Sequence, residues 1–109
     1  MKVLKINNKD HVLKFTTKAV MNLNAKGITI ASLSADMEKL NLISLYEAFC
    51  EGLKFANPSI TLDEVYELID LYYEEGGEVE FFFTAILEEY AKSMGLGKKF
   101  KEIIEQQKN

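Results

Sequence analysis

NLISLYEAFCEGLKFANPSITLDEVYELIDLYY, residues 41–73, decides the fold: it holds two amphipathic helical segments around a break at Asn57-Pro58. At 100° per residue, Leu42, Leu45, Tyr46, Phe49, Leu53 and Ala56 fall in one apolar stripe, with Glu47, Glu51 and Lys54 opposite. Asn41 is placed to cap this helix. A residue before proline is biased away from the helical region, so the helix is expected to stop near Ala56. Thr61 followed by Glu64 has capping-box spacing and starts the second helix. Leu62, Val65, Leu68, Ile69 and Tyr72 form its apolar face, widened by Tyr66 and Tyr73, while Asp63, Glu67, Asp70 and Glu74 make an acidic stripe. A helical hairpin with two such faces needs further helices or a sheet to cover it.

On the N-terminal side, Lys2 to Ile6 and His11 to Phe15 alternate, with Leu4, Ile6, Leu13 and Phe15 on one face and Lys5 and Lys14 on the other. Asn7-Asn8-Lys9-Asp10 between them is turn chemistry, so a β-hairpin is expected, stable only when packed on the helices. Thr16 or Thr17 can cap a short helix carrying Val20, Met21 and Leu23 that ends at Gly27. In the next segment Ile30, Leu33, Met37 and Leu40 are helically spaced, and Thr29, Ser32 and Ser34 each qualify as its cap. Beyond Gly76-Gly77, a last helix puts Val79, Phe82, Phe83, Ile86, Leu87, Tyr90 and Met94 on one face until Gly95. The expected fold is mainly α (α+β): an N-terminal β-hairpin packed on a bundle of about five helices, one compact domain over residues 1–94. Residues 95–109 form a tail whose apolar anchors are Phe100, Ile103 and Ile104, expected to be mobile alone and ordered against a partner.

At 109 residues and 48% hydrophobic composition, the chain has apolar mass for one core. No run approaches the ~20 apolar residues of a membrane span, and Met1-Lys2-Val3-Leu4-Lys5 does not lead into a signal-peptide core, so a soluble intracellular protein without membrane partners is expected. Cys50, the one cysteine, has no intrachain disulfide partner and reads as a small buried hydrophobe. The net charge of −4 conceals an asymmetry: residues 1–27 carry six Lys and one Asp, whereas residues 61–96 carry one Lys and ten acids. There is no arginine, which removes the bidentate fork used on guanine and phosphate, and the acidic balance argues further against nucleic acid.

Catalysis has few candidate groups. His11, the one histidine, reads as a packed or surface residue, since a general base or metal ligand needs converging partners that the pattern does not supply. The acidic stripe lacks the calcium-loop pattern and the Glu-x-x-His of di-iron bundles, and Gly76-Gly77 lies between helices rather than after a strand. No catalytic residue, metal or cofactor is therefore assigned. Phe81 points away from the apolar face of its helix, beside Glu88, and Phe55 is also off-stripe; both are candidate anchors for a protein partner.

Taken together, Ile6-Asn7-Asn8-Lys9 with Leu13-Lys14-Phe15, Gly27-Ile28-Thr29, Gly52-Leu53-Lys54, Asn57-Pro58 with Thr61 and Glu64, Ile69-Asp70 and Glu75-Gly76-Gly77 resemble, in order and spacing, the tail assembly chaperones of long-tailed phages and prophages of Gram-positive bacteria. A glycine is more usual there than Asn8. The resemblance implies a small helical non-enzyme that coats the tape-measure protein in the host cytoplasm, forms spirals, and is absent from the mature virion. It also implies a longer frameshifted form that recruits the tail tube protein. Gln107-Lys108-Asn109 is what the slippery heptamer A AAA AAC would encode. A small virion structural or head-to-tail connector protein is the rival reading, followed by a regulatory helical protein and then an enzyme. The charge asymmetry predicts head-to-tail self-association in which Lys2, Lys5 and Lys14 orient the contact while Phe81, or Phe100, Ile103 and Ile104, supply affinity.

Overall fold

A computed structural model of the chain describes residues 1–96. Strands β1 (Lys2–Ile6) and β2 (Lys9–Leu13) pair antiparallel, in a register running from Lys2 opposite Leu13 to Ile6 opposite Lys9. The connection is two residues long, not four. Asn7 and Asn8 both take positive φ, 52° and 64°, the mirror-image turn whose twist matches that of the strands and which asparagine tolerates. Lys9 and Asp10 thereby join the ladder, and β2 starts and ends two residues earlier than the alternation suggested. Because side-chain facing repeats every two residues, the shift leaves Leu13 and Phe15 pointing inward, where both are buried with Ile6.

Thr16 caps α1 (Thr17–Ala25), its hydroxyl accepting the Ala19 N–H at 3.1 Å. Ala19, Val20 and Leu23 are buried, whereas Met21, expected on the inner face, is exposed one step round the helix. Of the three possible caps for α2 (Ile30–Lys39), Thr29 is used: its hydroxyl accepts from Ser32 N–H at 3.0 Å and the Ser32 hydroxyl accepts from Thr29 N–H at 2.8 Å. Leu33 is buried and Ile30 and Met37 pack against the core. Leu40 leaves the stripe: it sits in the left-handed region at φ 54° and is exposed. There it closes a Schellman end in which Asn41 N–H donates to the Asp36 carbonyl at 2.9 Å.

Asn41 caps α3 (Leu42–Leu53), and Thr61 with Glu64 forms the expected capping box on α4 (Leu62–Glu74). Helix α3 stops three residues short of Ala56, which is exposed. Its last turn tightens as Lys54 N–H donates to the Glu51 carbonyl at 3.3 Å. In α5 (Val79–Ser93), Phe82, Phe83, Ile86, Leu87 and Tyr90 are buried, while Met94 falls past the helix end and is exposed. The buried Tyr90 hydroxyl donates between the Asn24 carboxamide oxygen (2.8 Å) and the Ile28 carbonyl (3.0 Å), tying α5 to the bend between α1 and α2.

Helix α3 is the hub, packing against β2, α1, α2, α4 and α5. It can do so because it buries nearly its whole circumference over residues 48–53, with Ala48 and Gly52 giving close approach. A Cβ at Gly52 would stand 2.4 Å from Leu13 Cδ1 and 3.0 Å from Phe15 Cζ, so the end of the hairpin rests directly on the helix backbone. The carboxylate of Glu51, expected on the outer face, is covered by this packing and is buried.

Candidate interaction surfaces

The Lys14 N–H donates to the Gly52 carbonyl at 3.0 Å, which fixes the exit of β2 over the C-terminal end of α3. The Lys14 ammonium then lies 4.6 Å from the ring centroid of Phe55, a residue 48% exposed. Lys18 from the first turn of α1 and Lys54 line the same depression, an open cleft of about 340 Å³ that Phe55 and Pro58 wall. Lys54 is engaged with buried Glu51 at 3.0 Å, and that bond raises the ammonium pKa above its ordinary value. Lys14 and Lys18 are exposed and form no ion pair among the described residues.

A second surface surrounds the start of β1. Phe81 is 58% exposed, with the Lys2 ammonium 5.3 Å from its ring centroid. On the same helix, Glu89 is buried and held by the Met1 ammonium at 2.9 Å and Lys92 at 3.2 Å. Burial pushes the Glu89 carboxyl pKa up, but hydrogen bonds and charge from the two cations outweigh it and leave the pKa below the ordinary carboxylate range. Asn7 N–H donates to the Glu75 carboxylate just past α4, so the residues flanking β1 at both ends are fastened to acids, Glu89 of α5 and Glu75. Lys5 is exposed and stands opposite Asp10 in the ladder.

The third surface is the outer face of α4, where Asp63, Glu67, Asp70 and Glu74 are all exposed and form no ion pair among the described residues. An aromatic border runs beside it: Tyr66 is exposed and meets Tyr46 edge-on at 6.2 Å, and the Tyr46 and Tyr73 hydroxyls are 3.0 Å apart.

The sequence candidates are thus divided into two cation–aromatic pairs, Lys2 with Phe81 and Lys14 with Phe55, with Lys5 apart from both; Phe100, Ile103 and Ile104 lie outside the described residues. Lys18 and Lys54, which complete the Phe55 cleft, escaped the sequence reading, although the i, i+3 spacing of Glu51 and Lys54 signals a pair. Among the described residues no group of three or more His, Cys, Asp and Glu is placed to hold a metal. Cys50 is buried, which raises its thiol pKa. His11 has a buried, unpartnered Nε2, and its pKa is lowered by burial and then by Lys9, against a smaller opposing effect of Asp10.

The chain matches, over residues 3–105, the family described as phage tail assembly chaperone protein, TAC. Comparisons with curated proteins and with solved structures found no match.

Proposed function

From the chain's membership of the phage tail assembly chaperone family, we propose that it binds the tape-measure protein of its phage and keeps it soluble in the host cytoplasm until the tail tube forms. The observation that carries this is the family match, which among the described residues spans β1 from Val3, β2 and each helix from α1 to α5. The surface chemistry supports it. Several large apolar side chains, Phe55, Phe81, Tyr66 and Ile43 among them, stand exposed around one closed core, and such residues act as anchors for another chain rather than as a catalytic constellation. The role is non-enzymatic. We further propose that copies associate head to tail along the tape measure, that a longer frameshifted form brings in the tail tube protein, and that the chaperone leaves before the virion matures. Acidic outer faces would keep such a complex dispersed.

The test is co-expression of the tape-measure protein with and without this chain. The expected result is a soluble tape measure that co-purifies with the chaperone. A tape measure equally soluble alone, or one that does not co-purify, would overturn the proposal. Mass spectrometry of purified virions checks the departure of the chaperone.

A further inference from the structure

The Phe55 cleft and the outer face of α4 are complements carried by one chain. The cleft is concave and basic: Phe55 and Pro58 form an apolar wall, and Lys14 and Lys18 present ammonium groups with no carboxylate on them among the described residues. Lys14 rests on the Phe55 ring, an exposed cation–π contact that a carboxylate can displace or share at little cost. The face of α4 is convex and acidic: Asp63, Glu67, Asp70 and Glu74 follow one another at i, i+4, i+7 and i+11, and Tyr66 borders them. Both surfaces belong to elements fixed on α3, so the acidic face of a protomer does not swing into its own cleft.

We propose that the Phe55 cleft of one copy receives the acidic, tyrosine-bordered face of α4 from a second copy. The inference rests on the self-association proposed above and names the surfaces it uses. Opposite charge selects the partner and sets the register, while Tyr66 against Phe55 and Pro58 supplies the desolvated contact from which affinity comes. Because the two surfaces differ, every bound copy still offers one free cleft and one free helix face. Such a heterologous contact closes as a ring or runs on as a helical row, and does not stop at a two-fold dimer.

A charge exchange on the full chain tests this by sedimentation velocity at low and high salt. One variant carries Lys14→Glu with Lys18→Glu, the other Asp70→Lys with Glu74→Lys; all four positions are exposed, and circular dichroism confirms that each variant folds. The parent is expected to form oligomers that salt shortens. Each variant alone sets like charges against each other and is expected to associate roughly tenfold more weakly or worse. An equimolar mixture of the two is expected to regain assembly, since each mismatched surface then meets its opposite on the other variant. Phe55→Ser is expected to weaken association at every salt concentration. A parent that stays monomeric at high concentration overturns both the self-association reading and this inference. Oligomers of unchanged size in both variants, or failure of the mixture to recover, overturn the surface assignment alone. Loss of tape-measure co-purification by the Lys14 and Lys18 variant with assembly intact would assign the cleft to the tape measure and overturn the inference.

Discussion

Replacing Gly52 by alanine tests whether the hairpin truly rests on the backbone of α3. The added methyl would stand 2.4 Å from Leu13 Cδ1, and 3.0 and 3.1 Å from Phe15 Cζ and Cε1. Neither neighbour can retreat easily. Leu13 and Phe15 are buried, Phe15 is packed against the Tyr90 ring at 5.4 Å, and the Lys14 N–H holds the Gly52 carbonyl at 3.0 Å. Overpacking of this kind costs roughly 1 to 3 kcal/mol. Alanine recovers at most about 1 kcal/mol of helix propensity, and less here because Gly52 is one residue from the end of α3. The net expectation is a loss of about 1 to 2 kcal/mol, a fall in Tm of roughly 5 to 15 °C for a domain of this size. Thermal and urea denaturation would measure it, with an unchanged urea slope showing that the change lies in stability. The mechanism also fixes the sign of a coupling: Leu13→Ala should cost less in the Gly52→Ala background than in the parent, because it removes the clashing carbon. A Gly52→Ala protein as stable as the parent, or strictly additive substitutions, would refute the contact.

Leu40→Gly should stabilise the protein by about 0.5 to 1 kcal/mol, because a left-handed leucine costs roughly 1 to 2 kcal/mol and its exposed side chain gives little burial in return; an unchanged or lower denaturation midpoint would contradict this. Since the folded pKa of His11 lies below 6.5, the unfolded chain binds the proton more readily, so its contribution is fully present above pH 6.5 and is lost as pH falls below it. His11→Gln should therefore flatten the stability profile between neutral pH and about pH 5, with Glu64 and Glu67 lining the same cleft in parent and variant alike. Glu89 shifts the same way in a more acid window: its folded pKa is depressed, here because its charged form is held by cations, so its contribution is present above pH 4.5 and disappears as acid protonates it. Glu89→Gln should cost roughly 1 to 2 kcal/mol at neutral pH, less than a fully enclosed pair because Met1 and Lys92 face solvent, and should remove that part of the acid limb seen in pH-dependent melts.

The elements that the sequence displayed are those decided locally. Asn41 and the Thr61 with Glu64 box are caps, which depend on side chains within three residues of the amide they satisfy, while Thr16 and Thr29 are each one of several adjacent hydroxyls between which the sequence leaves the choice open. The faces of the hairpin are legible even though β2 begins two residues earlier than its alternation suggests, because a shift of two preserves alternation. What escaped was set by neighbours distant in sequence. A helical wheel puts Glu51 on the outside of α3, but the β2 exit and α1 cover that side; Glu89 is buried under the chain's first residue, 88 positions away. Met21, Leu40 and Met94 are apolar residues at nearly the right angle for their stripes, yet each lies at the margin or end of its helix, where no element among the described residues covers it.

The charge pattern shows the same limit for the interaction surfaces. Six lysines in residues 1–27 suggest one basic surface, but the fold separates them. The Lys2 ammonium lies over Phe81, the Met1 amine neutralises Glu89, and Lys5 stands apart from both, opposite Asp10 in the ladder. Lys14 and Lys18 are brought together to the lip of the Phe55 cleft, and they reach it because β2 ends on Gly52 and Thr16 starts α1 at once. On the acidic side, Glu75 accepts from the Asn7 N–H and Glu89 is held by Met1 and Lys92, whereas the outer stripe of α4 has no ion-pair partner among the described residues. Among the described residues, ion pairs engage Met1, Lys54 and Lys92 with Glu51 and Glu89, and what marks the Phe55 cleft and the outer face of α4 is that each gathers charges of one sign, outside any ion pair, beside an exposed aromatic ring. A contact between copies built on these two would depend on a few residues at fixed positions, and for that reason exchanging two charges on each should be enough to break it and to restore it.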